Sequence, residues 1–409
     1  MAEDSTSAQE LQWAKFNDTI QELTRDQSRD LDNEARIFIQ LLASAPDHDS
    51  PKWLTLLKGK ELHRLLAAMI EHAPTKTGRR YATAAICACR EGARSASVLA
   101  SEGEALTLKN LQCLAEFWYS HFLWVSWPMP YMYGRETSPT PSEYATPTGK
   151  NAIGRTEDMR TRVLRRDAYR CAITGILSHS EFNGTRPQLV IKETFAVDNA
   201  YILKRAAVNV PNEEDSPAVR RSAAYAWDIL KQYGALDEPN EGNTAALVDD
   251  PSNRIAMESH ACISFEGFHF SLEPTTVPHH YIIKEYESCF SWTRPPHPTI
   301  VFQDHTPAWP VPPSKQSVAR SIETSVDPDE PVEPAKPVAL PNPKYLALHN
   351  ALAGILHTSG AGSVLWQVDQ NFKEDGRTAL DRTAGAFEDK IIRHSELKES
   401  IATMLADVR

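Results

Sequence analysis

Between residues 201 and 262, Tyr201, Asn253, His260 and Cys262 are among the side chains of types that work on metal ions or phosphates. A thiolate or a neutral imidazole binds zinc and similar cations, whereas the hard magnesium ion prefers oxygen. His260 and Cys262 lie two residues apart, which on a helix separates them by about 200°, so only one can face a given ion. A phenol, with an ordinary pKa of ~10, holds its proton at neutral pH and needs a depression of roughly three units to act as a general base. Asn253 sits in the turn Pro251-Ser252-Asn253, where its amide can bond across a hairpin. Upstream, Arg155, Arg160, Arg162, Arg165, Arg166 and Arg170 outnumber Glu157, Asp158 and Asp167. Such a basic run serves either phosphate contact or an exposed helix face with i,i+4 ion pairs. Lys204 and Arg205 add two cations just after Tyr201.

These residues fall within four blocks: VLRRDAYRCAITG (163–175), NAYILKR (199–205), WDILKQYG (227–234) and DDPSNRIAMESHACISFEGFHFSL (249–272). In this order and spacing the blocks resemble the HNH nuclease domain, in the version common in fungal proteins. The resemblance implies a ββα-metal fold, a β-hairpin followed by a helix that holds one divalent cation (Mg, Mn, Ni or Zn). In that family a histidine on the first strand activates water, an asparagine steadies the hairpin and a histidine on the helix binds the metal. Carried over, the base position falls on Tyr201, the asparagine on Asn253 and the metal position on Cys262, with His260 as the alternative ligand. Arg162, Arg165, Arg166, Lys204 and Arg205 become the candidates for nucleic-acid contact. Two functions follow: a degenerate HNH protein kept for binding nucleic acid or protein, or an active endonuclease with a substituted base and with Asp249 or Asp250 aiding the metal. The first is favoured, because both altered positions are ones hydrolysis cannot easily spare.

The elements that must position these groups can also be read. Tyr169, Cys171 and Ile173 alternate as a strand does before the turn at Thr174-Gly175, and residues 189–197 read as a strand leading into Tyr201. Trp227, Ile229, Leu230 and Tyr233 follow a helical repeat, expected to pin the insertion between the two strands onto the ββα unit. Phe265, Phe268, Phe270 and Leu272 read as core. The first 125 or so residues are helical by periodicity: Leu62, Leu65, Leu66, Met69 and Ile70 mark one stripe, Leu106, Leu111, Leu114, Phe117 and Trp118 another. Cys87 and Cys89 diverge on a helix and read as structural. The expected class is α+β, with a helical N-terminal region (1–135), a Ser/Thr/Pro linker (136–155), the HNH-like domain (156–290), a Pro-rich acidic linker (291–343) and a short helical C-terminal unit (344–409).

Composition bounds the remaining choices. The 409 residues are 41% hydrophobic and 24% charged, with net charge −11. That balance disfavours strong non-specific DNA binding, so any DNA contact depends on a local patch. Six scattered cysteines suit a reducing compartment. The acidic, polar start of the chain lacks a secretory signal, and no stretch reads as a membrane span. The expected location is intracellular, in cytoplasm or nucleus. The Pro-rich linker offers a protein partner a docking peptide.

Overall fold

The computed structural model describes residues 2–45, 62–95, 100–127, 151–178, 196–204, 217–237, 247–287, 295–308 and 337–366. The class is α+β, and the chain forms two compact units interleaved in sequence. The first comprises Met1–Met129, Leu203–Val248 and Lys344–Arg409; the second comprises Pro130–Ile202 and Asp249–Pro343.

The first unit is helical among its described residues. It contains α1 (Ala2–Arg25), α2 (Leu31–Ser44), α3 (Leu62–Glu71), α4 (Lys76–Ser95) and α5 (Ala100–Trp118), which runs through a π-helical turn (Tyr119–Leu123) into α6 (Trp124–Ser126). Asp30 caps α2, its carboxylate accepting the Asn33 N–H at 3.2 Å. The apolar stripes predicted for α3 and α5 are buried, apart from Leu106, which is half-buried. Cys87 and Cys89 are buried as well, and burial pushes the Cys87 thiol up to about 12, which suits structural cysteines.

Two later segments join this helical unit instead of standing elsewhere. The insertion helix α8 (numbered after α7 of the second unit; Pro217–Gly234) buries Ile229, Leu230 and Tyr233, and the Tyr233 hydroxyl donates to the Met69 carbonyl at 2.8 Å. A Cβ on Gly78 would collide with the Tyr233 carbonyl, so glycine is what lets α4 come so close. The expectation that this insertion pins the ββα unit is therefore corrected. Its periodicity fixed which face is covered, but the cover comes from α3, α4 and the π-helical turn. The C-terminal helix α10 (Pro343–Ser359) likewise packs here and is not a separate unit. Leu348, Leu352 and Ile355 are buried, and Gly354 lies where a Cβ would come within 2.5 Å of the His72 ring. Residues 367–409, the rest of the expected C-terminal unit, lie outside the described residues.

The second unit contains α7 (Asn151–Arg166), β1 (Val197–Tyr201), β2 (Arg254–Glu258), α9 (Ser259–Glu266), β3 (Phe270–Pro274), β4 (His280–Glu285) and β5 (Thr299–Val301). β1 and β2 pair antiparallel, and β3, β4 and β5 form an antiparallel sheet in that order. Helix α7 begins inside the segment expected to be linker, since NAIGRTEDMR holds one glycine and no proline to stop it. The Pro-rich linker also begins later than expected. Ile300 and Phe302 alternate inward on β5 and just beyond it, and Phe302 meets Tyr281 edge-on at 5.6 Å. Residues 309–336, the acidic middle of that segment, and most of the 189–197 strand lie outside the described residues. No described helix is long and apolar enough to cross a membrane.

The helical unit carries two buried ionisable groups of opposite tendency. Glu116 is buried with Oε2 unpartnered among the described residues, and desolvation raises its carboxyl from 4.5 to about 8. His121, packed on Phe117 at 4.4 Å and edge-on to Tyr225 at 5.4 Å, is lowered by desolvation from 6.5 to about 3. A raised acid stabilises the fold fully below 4.5 and loses that contribution as pH climbs to about 8; a lowered histidine contributes above 6.5 and loses it on acidification. The two slopes cancel between 4.5 and 6.5, so a net loss of stability appears between 6.5 and about 8. One proton corresponds to about 1.4 kcal/mol per pH unit. Glu116→Gln is expected to flatten this alkaline fall in urea melts at pH 6.5 and 8; an unchanged slope refutes the assignment.

Candidate functional site: the β1–β2 ribbon and helix α9

The site begins with the last residue of α7. Arg166 is wholly buried, and its five N–H donors are all spent. Two go to the Asp167 carboxylate, at 2.7 and 2.9 Å. The others go to the carbonyls of Pro251 (2.8 Å), Arg254 (2.7 Å) and Ala339 (2.8 Å). Asp167 Oδ2 also accepts the Ala256 N–H at 2.9 Å. One ion pair thus fastens the end of α7 to the turn and strand that carry Asn253.

The chain then reverses tightly. Ala168 and Tyr169 take left-handed φ values of 55° and 56°, and Gly175 closes the following turn at φ 72°. Tyr169, Cys171 and Ile173 are buried as their alternation predicted, although the segment makes a single bridge, Arg170 with Leu177, in place of a strand. The Ala172 N–H donates to the Ala256 carbonyl at 2.8 Å, so both outward groups of Ala256 are occupied.

β1 and β2 pair in the register Val197 with Glu258, Asn199 with Ala256 and Tyr201 with Arg254. The outer edge of β1 is occupied too: Arg160 donates to the Val197 carbonyl at 2.8 Å, and the Tyr201 N–H donates to Glu266 Oε1 at 3.0 Å. Side chains from α7 and α9 therefore blunt a ribbon that would otherwise expose pairing groups. At its open end the Ile202 N–H donates to the Asn253 carbonyl at 3.0 Å. Asn253 is buried in a 3₁₀ turn (Pro251–Asn253), where Asp250 accepts the Ser252 N–H at 2.8 Å.

The Tyr201 ring is half-buried beneath the Arg254 guanidinium, which lies 4.3 Å from the ring centroid and pairs with Asp249 at 3.3 Å. Cation–π stacking and strand pairing thus hold the phenol on the ribbon. Glu258 caps α9, its carboxylate accepting the N–H groups of His260 (2.8 Å) and Ala261 (2.7 Å). Of the two candidate ligands, His260 is exposed and Cys262 is half-buried, its Sγ 3.8 Å from Glu266 Oε1. Desolvation, then the Glu266 and Asp198 charges, push the Cys262 thiol well above its ordinary range, so the S–H form predominates and donates to Glu266.

The nucleic-acid candidates divide. Arg166 is corrected from a phosphate contact to an internal clamp, because protein acceptors take every donor. Arg165 is buried, Arg162 and Lys204 are half-buried, and Arg205 lies outside the described residues. The polar groups that organise the centre, Asp167, Arg254, Glu258 and Glu266, were not singled out in sequence. Each acts through backbone hydrogen bonds or stacking, for which local spacing gives little signal. Among the described residues, no three His, Cys, Asp or Glu side chains converge as a metal site. No family model, curated protein or solved structure matches the chain.

Asp167→Ala would leave the Arg166 guanidinium buried without its counter-charge. Breaking a buried pair on one side costs about 3–5 kcal/mol. Urea unfolding should record a loss of that order together with faster hydrogen exchange at the Ala256 amide; a loss under 1 kcal/mol would refute the clamp.

Proposed function

We propose that the second unit is an HNH-like ββα domain whose hydrolytic centre has lapsed, and that the protein acts by holding nucleic acid or protein. The observation that supports this reading is the β1–β2–α9 order, with Tyr201 stacked under Arg254 at the base position and a protonated Cys262 at the metal position. The donor set does not fit magnesium or manganese, for which a thiol is a poor ligand. Arg162 on α7 and Lys204 after β1 are the candidates for phosphate contact. The alternative reading, an active metal-dependent endonuclease with substituted groups, would draw on Asp249 or Asp250, of which Asp249 pairs with Arg254 and Asp250 accepts the Ser252 N–H.

Supercoiled plasmid incubated with Mg, Mn, Ni or Zn separates the two. The unmodified chain is expected to leave the plasmid intact, and the double variant Tyr201→His, Cys262→His to gain metal-dependent nicking. Nicking by the unmodified chain at a comparable rate overturns the lapsed reading. Binding of duplex DNA by the unmodified chain, weakening as salt rises, would place nucleic acid ahead of a protein partner.

A further inference from the structure

We propose that the second unit carries a peptide-binding groove, formed by Arg166, Ser252 and Asp304, which the segment 337–342 of the same chain occupies, and which accepts an extended aliphatic-x-x-proline peptide in trans. The segment PVALPN carries two prolines, which fix their own φ and hold the preceding residues extended. It makes no regular secondary structure, yet three of its backbone groups are bound by the unit. The Val338 N–H donates to Asp304 Oδ2 at 3.2 Å, the Ala339 carbonyl accepts from Arg166 at 2.8 Å, and the Asn342 N–H donates to the Ser252 carbonyl at 2.8 Å.

The side chains follow a matching rule. Val338 and Pro341 are buried, whereas Pro337 and Ala339 are exposed. The two buried positions are three residues apart, the spacing at which an extended proline-rich chain returns to the same face, so 338 and 341 are the positions turned toward the protein. Backbone hydrogen bonds supply affinity and two spaced apolar anchors supply selectivity, the division used in recognising extended peptides. The groove also reaches the site, since Ser252 belongs to the turn that carries Asn253. An incoming peptide of the same chemistry must displace the resident segment, whose tethering gives it an effective concentration on the order of millimolar. This inference is independent of whether the ribbon retains hydrolytic chemistry.

The test uses the full chain and a fluorescent peptide of sequence PVALPNP, followed by anisotropy. Val338→Arg with Pro341→Arg should unseat the resident segment, and the variant should bind the peptide at least tenfold more tightly than the unmodified chain. A peptide carrying the same two arginines should not bind. A folded variant that ignores PVALPNP, or an unmodified chain that binds it equally well, overturns the proposal. Should the double variant fail to fold, hydrogen exchange on Asp304→Ala decides. The Val338 and Asn342 amides should lose protection together, by tenfold or more, while Ala256 keeps its own; an unaffected Asn342 overturns the groove.

Discussion

A single buried ion pair organises the second unit. Arg166 and Asp167 are neighbours in sequence, yet between them they reach the carbonyls of Pro251, Arg254 and Ala339 and the amide of Ala256. The guanidinium fork is suited to this because its five donors point in fixed directions, and a lysine could not match them. Desolvating two charges is costly, and the return lies in geometry: the end of α7, the Asn253 turn and β2 are held in one arrangement. Whatever Tyr201, Asn253 and α9 do, they do on a frame set by this pair.

That frame also accounts for how Tyr201 and Cys262 are held. Tyr201 is secured through its backbone N–H on Glu266 and through its ring beneath Arg254, so neither contact requires an imidazole. Cys262 fills a half-buried place on α9 where its neutral form is favoured.

Sequence reading succeeded where local pattern decides the outcome. The helical N-terminal region and the Asn253 turn follow from periodicity and turn chemistry, whereas the strand that ends at Tyr201 runs from Val197, where the expected strand 189–197 ends. It went astray where distant partners decide. Trp227 to Tyr233 announced an amphipathic helix but not which unit would cover it. Arg166 looked like one cation of a basic patch, because nothing local reveals the three remote carbonyls that draw it inside. Ile300 and Phe302 lie in a Pro-rich stretch, yet their alternation is that of a strand, on β5 and the residue after it.

The insertion of α8 between β1 and β2 bears on how this protein is made. The two ribbon strands cannot close as a local hairpin, since residues 202–253 separate them and leave for the helical unit before returning. Such long-range closure slows folding relative to a simple turn. On the ribosome, moreover, the helical unit waits for α10 near the end of the chain, so neither unit corresponds to any contiguous fragment. A partial product released early would carry unfinished apolar faces from both units, a burden of the kind chaperones relieve.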